Sequence, residues 1–327
     1  MAKVGRSWRH AAPWLVSIGL MLYVFTVATD WDRLREATAE AHLWLFLAFA
    51  TIDRLAFFVV WTLLQAAALR RFALNIPLRS IIAVRGGSEL LRAVSNPLSD
   101  GAFFLGLTQL AGGRIEPVLA AALIPAICHF LILMVQMTLA LPFLPGGAED
   151  NRDVMIASGV MWGIVLGVSA AIRLSATRGL RVPAAARARA WLQQFPLREL
   201  RPFLVGFVVL AVFDVLIQGL AARAFQLDIP WIALAARIPL LYLALSIPSL
   251  GNFGTREIAF AELFSEFGER HQLIAFAFAV NAVFLVLNVL IGLIFLQRAL
   301  ELMAEVRRAK REGQRAPTSL LHDPTDL

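Results

Sequence analysis

The chain has 327 residues, 59% of them hydrophobic and 16% charged, with a formal net charge of +7. Soluble domains carry about 25% charged residues, so this composition and a mean hydropathy of +0.72 exclude that class. The basic residues fall in short loops between apolar runs, which speaks for membrane topology and anionic headgroups rather than nucleic acid.

Several apolar runs approach or exceed the ~20 residues that cross a bilayer. The first covers about 13–29, behind Lys3, Arg6 and Arg9. No small-x-small cleavage site follows it, so it reads as a span rather than a signal peptide. The second span is 43–69 and carries Asp53 and Arg54. A more basic stretch from 78 and a short apolar run to 111 flank Ser95-Asn96-Pro97 and form a first broken hairpin. Spans at 117–143, 154–176 and 202–226 follow, the last holding Asp214. A second broken hairpin, 230–268, is interrupted at Ser246-Ile-Pro-Ser-Leu-Gly251, and a last span covers 273–298. The tail, 306–327, is polar and is expected to be disordered.

Loop arginines put the N-terminus, the loops near 70–92 and 173–201, and the C-terminal flank on the cytoplasmic side. The six spans alternate only if each hairpin enters and returns on one side. Two halves then emerge, 1–145 and 146–305, each reading span, span, hairpin, span with opposite starting sides. The expected fold is an all-α polytopic membrane protein of six spans and two re-entrant hairpins in an inverted repeat. Such repeats place transport sites at their interface near the midplane. Pro and Gly are also common in membrane helices generally.

The break in the second hairpin focuses the functional reading. Non-helical backbone at membrane depth must be buried in protein or line a cavity. Gly251, Asn252 and Gly254 lead into a helix that opens with Thr255-Arg256-Glu257. A helix N-terminus and a guanidinium both suit phosphate. Arg256 is therefore a candidate phosphodiester ligand, with Glu257 steadying it or meeting a cationic headgroup; the alternative is a structural ion pair. Arg237, deep in an apolar run, joins the candidates. Arg85, Glu89 and Arg92 share one helical face and suit a cytoplasmic entrance for an anionic headgroup, or an interfacial helix against lipid phosphates. Asp53 and Asp214 read either as proton-coupling groups or as charge partners for a hairpin arginine. Asn281 and Asn288 fit helix–helix hydrogen bonds, and His129 a core position. Cys128 stands alone, so no metal or cofactor is expected.

Pro248, Gly251, Gly254, Arg256 and Glu257 resemble the Pro-x-x-Gly-Gly-x-Gly-x-Arg-Glu motif of the flippase-like membrane family, which includes the transmembrane domain of lysylphosphatidylglycerol synthase. Asn252 stands where the family has its second Gly. In the first hairpin the family often has Gly-Glu where this chain has Ser99-Asp100-Gly101, and Asp100 joins the candidates. The likeness covers most of residues 10–300. It implies movement of a phospholipid or lipid-linked headgroup between leaflets, with anionic or zwitterionic phospholipids as partners, and not the aminoacyl transfer reaction. The alternatives are a membrane-embedded transferase and a non-catalytic scaffold for a lipid-modifying enzyme. The expected location is a bacterial inner membrane, multi-pass, with both termini cytoplasmic.

Overall fold

The computed structural model describes residues 39, 41–72, 76–113, 115–147, 151–177, 197–246 and 250–311. The expected span at 13–29, most of the Arg/Ala-rich loop and Pro248 lie outside them. Among the described residues nine α-helices follow in order: α1 (Leu43–Phe72), α2 (Leu78–Arg92), α3 (Asn96–Leu110), α4 (Ile115–Ala140), α5 (Arg152–Thr177), α6 (Leu197–Ala224), α7 (Trp231–Ala244), α8 (Thr255–Leu263) and α9 (Arg270–Arg311). No strand occurs among the described residues. The protein is an all-α polytopic membrane protein. The helices α1, α4, α5, α6 and α9 are long and apolar enough to cross a bilayer. Their outward faces carry residues such as Ile52, Leu139, Ile164, Val209 and Ile294, exposed as lipid-facing side chains are.

The remaining helices are short. At 1.5 Å per residue, α2 and α3 each rise about 22 Å and α8 about 14 Å, below the ~30 Å hydrocarbon thickness. They form two hairpins. In the first, Ser95 is the N-cap of α3 and a proline sits in its first turn, where the missing amide costs nothing. The turn itself is Ala93–Ser95, so the segment 96–101, expected as part of the turn, is helix. In the second, α7 stops at Ala244, and a 3-10 turn at Leu250–Asn252 precedes α8. The break expected from the sequence is real.

Neighbour relations run in matched pairs. The helices α1 and α6 pack on each other; α2 lies on α9 as α7 lies on α4; α3 packs on α4 as α8 does on α9; and α1 meets α9 as α6 meets α4. Exchanging α1 with α6, α2 with α7, α3 with α8 and α4 with α9 preserves all of these contacts. Other contacts depart from the pattern: α1 packs closely on α4 and α3 touches α9, with no comparable contact of α6 with α9 or of α8 with α4, and α5 packs on α4 and α7 with no described counterpart.

The closest of these contacts, α2 on α9, rests on small residues. A Cβ on Gly86 would lie 2.3 Å from the Phe295 ring, one on Gly87 2.8 Å from the Ala299 Cβ, and one on Gly292 2.6 Å from the Leu90 nitrogen. Small residues let membrane helices approach to backbone contact. Helix α9 also corrects the tail boundary: it continues through 306–311 as helix, beyond the expected end of the last span at 298. The rest of the expected disordered tail lies outside the described residues.

Gly292→Ala presses on backbone, which cannot swing aside. It is expected to destabilise the protein by about 1–3 kcal/mol. Gly159→Ala, with nothing within 4 Å of the added carbon, is the control and should leave thermal unfolding in detergent unchanged.

Candidate functional site

The break between α7 and α8 depends on left-handed backbone. Gly251 has φ 57°, Asn252 φ 64° and Gly254 φ 83°. Glycine supplies such angles without steric cost, and asparagine tolerates them better than most residues. Gly251 is also a contact point: its N–H donates to Val94 O at 3.0 Å, and an added Cβ would sit 3.0 Å from Ala93 O. Beside it, Asn96 Nδ2 donates to Asn252 Oδ1 at 3.1 Å. The tips of the two hairpins therefore touch.

Helix α8 is capped from within. The carboxylate of Glu257 accepts from Gly254 N–H at 2.7 Å and from Asn281 Nδ2 at 3.3 Å. Glu257 is fully buried and fixes the break to α9. This corrects two expectations. Glu257 does not pair with Arg256, and its carboxylate takes the amino end of α8 that a phosphate was expected to use.

Arg256 projects from the first turn of α8. It is 7% exposed, and its guanidinium lies 5.1 Å from the centre of the Phe284 ring. It makes no hydrogen bond or ion pair with any described residue, and its Nε is buried without a partner. Asp53, Asp214 and Glu257 act on it only at longer range.

Asp53 on α1 and Asp214 on α6 lie where the two helices pack, close enough for each carboxyl to act on the other. Tyr242 Oη donates to Asp214 at 2.9 Å and Gln218 Nε2 at 2.7 Å. Neither aspartate forms an ion pair with an arginine among the described residues, so the expected salt bridges to hairpin arginines are replaced by a carboxyl pair.

On the first hairpin, Glu89 is completely buried and takes three guanidinium groups. Arg54 bonds it directly, Arg92 Nε lies 2.8 Å away and Arg85 Nε 3.3 Å away. Asp100, more exposed, accepts from Arg85 at 3.0 Å and Arg92 at 2.7 Å. Arg54 Nε also donates to Asn288 at 2.6 Å. Arg85, Glu89, Arg92 and Asp100, picked out from one helical face and one turn, thus form one network, to which α1 adds Arg54.

Both charge groups border a cavity of about 620 Å³. Asp53, Arg54, Arg85, Arg92, Asp100 and Arg256 line it, along with Asn252, Asn281 and Asn288. Phe103, Phe104, Phe130 and Leu133 add apolar surface to the same wall. Wall residues Pro97, Ala126 and Leu243 are exposed at its rim. His129 closes the core side, between the rings of Trp61 (4.9 Å) and Phe207 (5.1 Å).

Arg237 does not reach this wall. It forms an ion pair with Glu266, contacts Asn151 Oδ1 at 3.4 Å and lies 5.2 Å from the Phe267 ring centre. The expectation that Arg237 joins Arg256 on a phosphate is therefore corrected: it anchors α7 to the segment after α8. Sequence reasoning also passed over Tyr242, Gln218 and Arg54 as site residues. Tyr242 is one of two tyrosines in the chain and stands two residues before the end of α7, a signal that was available. Compared with protein-family models, with curated proteins and with solved structures, the chain matches none.

Removing Glu89 leaves three arginines facing one another in the interior. Glu89→Ala should cost about 3–5 kcal/mol, the usual penalty for breaking a buried pair from one side. Asp100→Ala, at the exposed edge, should cost about 1 kcal/mol or less. Thermal unfolding of the two variants in detergent compares them directly.

Proposed function

We propose that this protein moves a lipid with an anionic, phosphate-bearing headgroup between the leaflets of a bacterial inner membrane, as its resemblance to the flippase-like family implies. One observation carries the reading: Arg256 is a buried guanidinium with no hydrogen-bond or ion-pair partner among the described residues, on the wall of a large cavity. Charged groups at membrane depth are retained where they pair or where they work. Every other arginine on the cavity wall has a carboxylate. A planar guanidinium suits a phosphate oxygen pair in geometry as well as charge.

A wall of both charged and apolar residues fits an amphiphile. The headgroup meets Arg256 and the amides of Asn252 and Asn281, while acyl chains leave past Phe103, Phe104 and the rim at Ala126 and Leu243. The contact of Gly251 with Val94 and of Asn96 with Asn252 joins the hairpin tips. In this mechanism the tips part and rejoin as the two halves rock around a fixed site.

The test is reconstitution of the pure protein into liposomes containing fluorescent phosphatidylglycerol, with a membrane-impermeant quencher reporting outer-leaflet exposure. Wild type should speed exchange, and Arg256→Met should slow it at least tenfold. Removing an unpaired buried charge should also leave the fold as stable or more stable, whereas a structural ion pair lost from one side would cost about 3–5 kcal/mol. Unchanged exchange in a folded Arg256→Met protein overturns the proposal. A new lipid product would make the protein a transferase, and neither activity would favour a scaffold.

A second measurement addresses the tips. In a Cys128→Ala background, Asn96→Cys with Asn252→Cys should lose, on bridging by a short bifunctional thiol reagent, the exchange it shows before treatment, and each single cysteine should exchange as fast with the reagent as without it.

A further inference from the structure

We propose that the Asp53–Asp214 pair is a proton site, and that its occupancy is coupled to an anionic headgroup at Arg256. The inference rests on the anion-site reading of Arg256 and gives that site a coupling ion.

The geometry supplies the argument. Two ionised carboxylates buried close together repel each other and only accept hydrogen bonds, so a shared proton is what lets them sit there. Asp53 and Asp214, 7% and 3% exposed, come together where α1 packs on α6; Gln218 donates to Asp214 at 2.7 Å, and neither aspartate is bonded to an arginine among the described residues. The charged and titratable groups facing them can be named from every element around. Tyr242 on α7 donates to Asp214. His129 on α4 meets Tyr242 edge to face, with ring centres 5.9 Å apart. Arg256 on α8 faces the pair, with Glu257 behind it already bonded to Gly254 and Asn281. Arg54 on α1 is held by Glu89 of α2 and Asn288 of α9. The charges of Arg85, Arg92 and Asp100 close on one another and on Glu89.

Among the described residues, Arg256 is therefore the one cation near the pair that no carboxylate already holds. Two carboxylates and one guanidinium carry one excess negative charge, and a single shared proton brings that group to neutrality. An anionic headgroup that takes Arg256 removes the balancing cation. The second carboxylate then needs a second proton, because an uncompensated charge at this depth is costly. Anion and proton thus enter together, and by linkage each tightens the other. In a transporter this is symport: a proton gradient across the membrane biases the direction of lipid movement. No covalent step is involved; protons arrive from and return to water in the cavity.

The experiment uses the full chain in detergent and dihexanoylphosphatidylglycerol as the probe lipid. Titration calorimetry in two buffers of different ionisation enthalpy counts protons taken up on binding. Wild type should take up about one proton per lipid, and affinity should tighten about tenfold per unit fall in pH within the coupled range. Asp53→Asn and Asp214→Asn should bind with neither effect, while Tyr242→Phe should keep both. Replacing sodium by choline should change nothing; a sodium requirement in place of the pH dependence overturns the proton assignment.

Lipid binding by wild type without proton uptake overturns the coupling and leaves the anion site standing. If wild type does not bind the probe, the anion-site reading fails for that lipid. Infrared spectra then decide the proton site separately. A protonated-carboxyl stretch near neutral pH, lost in either Asn variant, supports it, and no such band in wild type overturns it. Should neither variant fold, the wild-type proton count and infrared band decide alone.

Discussion

The architecture is organised by the cost of charge in an apolar slab. Arg54, Arg85, Glu89, Asp53, Asp214, Arg237, Arg256 and Glu257 are all buried in a chain whose outer faces are lipid-facing. Such groups call for partners, and for most of them the fold provides these from elements far apart in sequence; Arg256 is the exception among the described residues. Glu89 gathers arginines from α1 and α2; Asn281 and Asn288 of α9 hold Glu257 and Arg54, one at each end of the cavity. Seven residues of helix separate these amides by about 10 Å along α9. One helix thus positions both hairpins relative to one cavity, and the backbone contact through Gly86, Gly87 and Gly292 fixes the first of them against it.

The paired neighbour relations give the carboxyl pair a physical origin. If α1 and α6 are equivalent elements of two halves, equivalent residues on them meet at the crossing. Asp53 and Asp214 are those residues. Equivalence does not extend to the hairpin charges. Arg85 faces the cavity with Glu89 and Asp100, whereas its counterpart Arg237 is spent on Glu266. The hairpins share a backbone plan and differ in what they present. The first contributes a self-neutralising network and the second a single unpaired cation.

Much of this was legible in the sequence because its signals are local. Apolar length gave the spans, Pro and Gly gave the breaks, and intramembrane Asp and Arg marked the cavity wall. What stayed hidden was pairing. Arg237 and Arg256 look alike in sequence: same residue, same hairpin, both deep. Only the fold reveals that Glu266 reaches one and that no carboxylate among the described residues is bonded to the other. Glu257 misled for the opposite reason. Adjacent to Arg256 in the chain, it turns back to cap its own helix, a local bond that sequence spacing permits and that competes with the ion pair. Asn281 and Asn288 were seen as a helical face, but amides that join helices and amides that orient site charges have the same spacing.

Arg256 remains tolerable for a reason that also bears on function. The Phe284 ring beneath it contributes about 0.5–2 kcal/mol, less than the several kcal/mol that desolvating a guanidinium costs. The balance has to come from the cavity. At about 30 Å³ per molecule, 620 Å³ accommodates on the order of twenty waters, enough to hydrate one cation. A wet cavity keeps the guanidinium charged while leaving it exchangeable: a phosphate displaces water, not a protein carboxylate. Had Glu257 stayed on Arg256, any incoming anion would first have to break a buried ion pair. Diverting Glu257 to the α8 cap removes that competitor, so the same bond that stabilises the break also leaves the cation free.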